Sequence, residues 1–118
     1  MAAAPARAKP KYVPDAGDIV WLEFNHQAGH EQAGHRPAVV LSPASYNGRT
    51  GRLLCCPTTT QIKNYPFEVG LSGTKPSVAL ADQIKSLDWQ ARHAIRKGRA
   101  TTAELDEIRQ KAMALLHG

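Results

Sequence analysis

The sequence is poor in the residues on which several common chemistries depend. Cysteine occurs twice in 118 residues, as the neighbours Cys55 and Cys56. Adjacent residues of a strand point to opposite faces, so the pair does not suit a disulfide, and nothing in it points to an oxidising compartment or a Cys-based metal site. Aromatic residues make up only 6% of the chain, which argues against a plain binding module that displays several base-stacking rings. No apolar run approaches the length of a membrane span, and the first eleven residues lack the apolar core of a signal peptide. A Gly-rich phosphate loop, a nucleophile elbow and a zinc-protease helix are all missing, as is any internal repeat. The expectation is a cytoplasmic protein with no membrane association.

What remains is an ordinary globular composition, 42% hydrophobic and 21% charged, in a chain long enough for one core. Residues 1–11 read as a solvated, disordered basic tail and residues 12–118 as the folded domain. The formal charge is +5, but Arg7, Lys9 and Lys11 lie in the tail. Residues 12–118 hold twelve basic against ten acidic residues, a balance of +2. This permits an acidic partner such as nucleic acid without requiring one.

Residues 19–24 suit a strand, and the polar stretch 25–35 with its two glycines suits a long exposed loop, often a functional element in a small domain. Arg36 precedes Pro37 and is therefore extended, and Ala38-Val39-Val40-Leu41 has the continuous apolarity of a buried strand. Pro43 and Asn47-Gly48 punctuate the next connection. Residues 53–60, 67–69, 77–81 and 83–86 also read as extended. Residues 91–100 are too basic, and too interrupted by Gly98, to read as a helix. From about 102 to 116 an amphipathic helix is expected, with Thr101 and Glu104 as a capping box and Leu105, Ile108, Ala112 and Leu115 at helical spacing. Short strands followed by one helix predict a mainly β fold with α, a small twisted sheet that closes as a barrel.

Polar chemistry concentrates in the first loop. A metal reading would recruit His26, His30 and His35 with Glu31, but their spacing fits no helical face, so no metal and no cofactor is expected. Arg36 stands where that loop meets a buried strand, and its planar fork suits phosphate; a surface salt bridge is the plainer role for such a residue. Thr58-Thr59-Thr60 is explained by β-propensity alone, although alternation turns Thr59 to the face opposite its neighbours. Arg92, Arg96, Lys97 and Arg99 make a basic cluster that reads as a solvated face or as phosphate contacts. Trp21 reads as core.

Taken together, several blocks resemble the MazF/PemK toxin family. They are Tyr12-Val13-Pro14-Asp15-x-Gly17-Asp18, the run from Glu31 to Pro43 (EQAGHRPAVVLSP), and Pro57-x-Thr59-Thr60-Gln61. Tyr65-Pro66-Phe67-Glu68-Val69, Leu71-Ser72-Gly73 and Val78-Ala79-Leu80-Ala81-Asp82-Gln83-x-Lys85-Ser86 follow in the same order. The resemblance covers about residues 12–117. It implies an SH3-like β-barrel of the CcdB/PemK-like kind with a C-terminal helix, usually homodimeric. It also implies a sequence-specific endoribonuclease (an mRNA interferase) acting on single-stranded RNA and neutralised by a cognate MazE-like antitoxin.

Arg36 and Thr59 occupy the family's catalytic positions. Glu31 is expected as general base in preference to His35, which precedes Arg36 and faces away from it. His30, His35, Gln61, Lys63 and Gln83 are expected to line the RNA groove. The competing reading is a non-catalytic CcdB-like toxin that binds DNA gyrase. The Arg36 and Thr59 pair speaks against it.

Overall fold

The structure, a computed structural model, describes residues 12–23, 34–73 and 75–118. Among these, seven strands and two helices follow in the order β1 (Asp18–Glu23), β2 (His35–Val40), α1 (Ala44–Thr50), β3 (Arg52–Thr59), β4 (Glu68–Leu71), β5 (Ser77–Leu80), β6 (Lys85–Asp88), β7 (Ile95–Arg99) and α2 (Thr102–His117). Strand pairing runs β4-β5-β3-β2-β1-β7, with β6 also on β3, and every pair is antiparallel.

Strand β3 organises the fold. Its first half pairs with β6, its middle with β2 and its last residues, Thr58 and Thr59, with β5. One strand thereby passes from one sheet into the next, and the whole sheet curls into a half-barrel. Its end is where chemistry is expected.

Two apolar clusters lie on the two faces of the β1-β2-β3 sheet. Val39, Leu41, Cys56, Val69, Leu71 and Ala79 pack with Leu105 and Ile108 of α2 inside the barrel. Val20, Leu22, Ala38, Val40, Leu53 and Cys55 pack with Trp89 on the other face. Burial on both sides explains why residues 38–41 are apolar without alternation. The cysteines fall into different clusters, as strand geometry requires, and both are free.

Helix α2 begins where expected. The Thr101 hydroxyl accepts from the Glu104 amide at 3.0 Å, and the Glu104 carboxylate accepts from the Thr101 amide at 2.9 Å. That carboxylate also accepts from the Ser72 amide at 2.7 Å, and Arg109 donates to the Leu41 carbonyl at 2.7 Å, so the helix is tied to the barrel at several points. Leu105, Ile108 and Ala112 are buried, but Leu115 is 49% exposed, because the last turn outruns the sheet beneath it.

The connection around Asn47-Gly48 differs from the sequence expectation: it forms α1, with Gly51 in the left-handed conformation as its stop. The reason is the role of Asn47, which is fully buried and acts as a hydrogen-bond hub instead of a turn former. Its side chain accepts from the Ser42 hydroxyl at 2.6 Å and donates to the carbonyls of Pro14 at 2.8 Å and Ser42 at 2.9 Å. Trp89 Nε1 donates to the Asn47 carbonyl at 2.9 Å, fixing the 89–94 turn to the same point.

Candidate active site

The two expected catalytic residues lie on the paired strands β2 and β3, Arg36 near the start of one and Thr59 at the end of the other. Val40 faces Cys55, Val39 faces Cys56 and Ala38 faces Pro57. Continued two steps beyond the last of these pairs, the same register puts Arg36 opposite Thr59. Alternation then places both on the sheet face that carries Ala38 and Cys55. Arg36 is exposed, at the end of the ladder where Leu22 of β1 faces it.

Thr59 is held by its own chain: its Oγ1 accepts from the Gln61 amide at 3.0 Å. One lone pair is used in this way, and the hydroxyl proton is left to be directed at a ligand.

Thr59 stands between two clefts. The first, of about 580 Å³, is lined by Thr59, Gln61, Lys63, Tyr65, Asp82 and Gln83 among others. Three expected groove residues, Gln61, Lys63 and Gln83, therefore gather around Thr59. Arg36 does not line this cleft; it stands at its own strand position opposite Thr59.

His35 sits on the other face of β2, with its Nε2 3.8 Å from Glu23 Oε2. The Glu23 carboxylate also meets His93 Nδ1 at 2.8 Å, a contact that holds it below the ordinary carboxylate range. His30 and Glu31, expected as RNA contact and general base, lie outside the described residues, as does His26. Among the described residues no group of three His, Cys, Asp or Glu side chains is arranged to hold a metal ion.

Several residues at the site were not singled out from the sequence. Glu68, at the start of β4, accepts from three successive amides of the cleft wall, Lys63 and Asn64 at 2.9 Å and Tyr65 at 3.3 Å. This carboxylate holds the irregular 61–67 segment in place, including Asn64 in its left-handed conformation (φ 60). The Tyr65 hydroxyl donates to Asp82 Oδ2 at 2.6 Å, which raises the phenol's pKa. Asp82 Oδ1 is buried and has no hydrogen-bond partner among the described residues. The only signal for this pair in the sequence was its place within blocks of family resemblance.

Most of the basic cluster has structural work. Arg99 and Arg96 reach Asp18 Oδ1 at 2.7 and 3.7 Å, and Arg92 donates to the Glu23 carbonyl at 3.2 Å. Lys97 instead lies over the Trp21 ring, 5.4 Å from its centroid. Trp21, expected in the core, is only half-buried. It lies on the opposite side of β1 from the fully buried Val20 and Leu22.

The sequence profile described as "PemK-like, MazF-like toxin of type II toxin-antitoxin system" matches residues 15–116. The chain belongs to this family. It is 56% identical over 107 residues to the endoribonuclease toxin MazF of Escherichia coli K12, covering 90% of this chain and 96% of that relative. It is 36% identical to the endoribonuclease toxin ChpB of the same strain, covering 86% of this chain and 90% of that one. Among solved structures, the MazE-MazF complex of Deinococcus radiodurans (Form-II) superposes with a TM-score of 0.86 at 52% identity, covering 91% of this chain and 98% of that chain. As a member of the PemK/MazF family the chain has the mainly β fold with a C-terminal helix that the sequence predicts. No described helix is long and apolar enough to cross a membrane.

Proposed function

We infer that this protein is an endoribonuclease toxin that cuts single-stranded RNA at a short recurring sequence. The CcdB-like alternative has no support: the relatives above are named endoribonucleases. What supports the mechanism is the β2–β3 register, which if continued past Ala38–Pro57 puts Arg36 across from Thr59, the residue that lines both clefts.

RNA carries its own nucleophile. The 2′-oxygen attacks the adjacent phosphorus while its proton passes to a base. The bond from phosphorus to the 5′-oxygen then breaks, and the leaving oxygen takes up a proton. The products are a 2′,3′-cyclic phosphate and a 5′-hydroxyl, and no step needs a metal.

Arg36 supplies fixed positive charge to the phosphoryl oxygens as the crowded phosphorane forms. The Thr59 hydroxyl donates to the same phosphate and fixes its orientation. We assign the base to Glu31, because His35 faces away from Arg36 along β2; His30 and His35 remain proposed RNA contacts. Gln61, Lys63 and Gln83 line the cleft into which a splayed single strand exposes its base edges.

The solved MazE-MazF complexes of the Deinococcus relative support a MazE-like antitoxin as the inhibitor of this chain. We further propose a homodimer acting in the cytoplasm, in which the basic residues Arg7, Lys9 and Lys11 add salt-sensitive affinity.

Single-turnover cleavage of an RNA oligonucleotide tests the assignment. Arg36→Ala and Thr59→Val should each slow cleavage by about 10²–10³-fold, the cost of removing one preorganised electrostatic group. Glu31→Gln should slow it more than His35→Ala. Near-full rates in Arg36→Ala would overturn the mechanism.

A further inference from the structure

A second cleft of about 560 Å³ opens on the other side of Thr59, and the mechanism above gives it no role. Its walls include Trp21, Lys75, Lys97, Thr58 and Thr60, and none of its described lining residues is acidic. The first cleft, by contrast, contains Glu68 and Asp82.

The position of Trp21 is unusual for its type. Strand register sets it between Pro37 of β2 and Ile95 of β7, so the three make an apolar row across the sheet. Ile95 is 54% exposed and Trp21 half-buried, although the fully buried Val20 and Leu22 are its immediate neighbours. A partly exposed apolar row with one ammonium group over the indole and a second in the same cleft marks an interaction surface. Its composition selects the partner. One flat ring, two cations and five hydroxyls without a carboxylate suit a base against the indole and phosphates on the lysines. The two clefts also adjoin, because Thr59 lines both.

We propose that the Trp21–Lys97 cleft is a subsite for a nucleotide flanking the cut, with its base against Trp21 and a neighbouring phosphate on Lys97 and Lys75. The inference rests on the RNA-cleaving reading and extends it. Stacking has no hydrogen-bond code, so this subsite contributes affinity and strand length, whereas the Gln61–Gln83 side reads sequence.

The test is a series of RNA oligonucleotides with one cleavable site, lengthened one nucleotide at a time on either side. For the wild-type protein, one extension on one side should raise kcat/KM by about 5- to 100-fold, the range found for one stacked base. The gain should be nearly independent of which base is added. Trp21→Ala should bring the ratio between the two lengths close to one, and Trp21→Phe should keep most of it. Lys97→Gln with Lys75→Gln should reduce the ratio and its dependence on salt, and this pair carries the test should Trp21→Ala not fold. The proposal is overturned if Trp21→Ala or the lysine pair slows all lengths by one common factor, or leaves the ratio intact. It is also overturned if Trp21→Ala changes only self-association in sedimentation, since a second copy of the chain would then cover the cleft. Failure of the wild-type protein to cut any member of the series would instead refute the nuclease reading.

Discussion

Replacing Glu68 with alanine tests whether the wall of the first cleft is a working part of the enzyme. Its carboxylate accepts from three consecutive amides, at 2.9, 2.9 and 3.3 Å. A net hydrogen bond contributes about 0.5–1.5 kcal/mol, and those to charged groups more. This segment is exposed, so water replaces part of the loss; at about 0.5–1 kcal/mol per bond the cost is roughly 1.5–3 kcal/mol. For a domain of this size that corresponds to a fall in Tm of about 5–10 °C.

The functional effect follows from loop order. Fixing one residue's backbone costs about 1–2 kcal/mol. If substrate must re-order even one residue carrying Lys63 or Gln61, KM rises by about 5- to 30-fold, at about 1.4 kcal/mol per tenfold. Glu68→Gln, which keeps one acceptor oxygen, should fall between the wild type and Glu68→Ala. Thermal unfolding followed by circular dichroism, together with steady-state cleavage of a short RNA, measures both effects. A lowered Tm with unchanged KM would mean that RNA does not lie along this wall. An unchanged Tm would mean that the carboxylate does not hold the segment at all.

Other outcomes follow from the core and the ionisable groups. Asn47→Ala leaves the Pro14 and Ser42 carbonyls and the Ser42 hydroxyl without their buried partner. It should destabilise by about 3–5 kcal/mol in urea unfolding, and a loss below about 1 kcal/mol would contradict the hub. Burial raises the Asp18 carboxyl, but hydrogen bonds from Tyr12, the Asp15 amide and Arg99 outweigh it and hold its pKa below the usual value. A carboxyl depressed in the folded state stabilises fully above its unfolded pKa, near about 4, and that contribution is lost as pH falls through the folded value. The urea midpoint should therefore drop below about pH 4, and less steeply in Tyr12→Phe; equal slopes would count against the Tyr12 contact. Burial pushes both Cys55 and Cys56 up to about 12. Thiol reagents at pH 8 should then label the native protein only at the rate of its unfolding, and rapid labelling would show the thiols to be open.

Local pattern was enough for much of this fold. The capping box at Thr101 and Glu104 sets the start of α2, and the run from Ala38 to Leu41 marks a strand buried on both faces. Features that depend on partners far along the chain were not legible. Asn47-Gly48 looks like a turn until Pro14, 33 residues away, supplies the carbonyl that draws Asn47 inside. Trp21 looks like core until register shows which side of β1 it occupies. Tyr65 and Asp82 are 17 residues apart and meet only because β4 and β5 pair. At the site, the residues alone marked Arg36 and Thr59 as ambiguous, a surface cation and a strand former. Family resemblance picked them out, and the β2–β3 pairing places them on neighbouring strands.

The mechanism requires that Arg36 and Thr59 hold a phosphate while the substrate's own 2′-hydroxyl attacks it. A single 2′-deoxy substitution on the 5′ side of the cut, compared with the unmodified strand in EDTA, tests it most directly. The unmodified RNA should be cut in EDTA to a 2′,3′-cyclic phosphate and a 5′-hydroxyl, and the substituted strand should not be cut at that bond. Cleavage of the deoxy-substituted bond, or loss of all cleavage in EDTA, would contradict it.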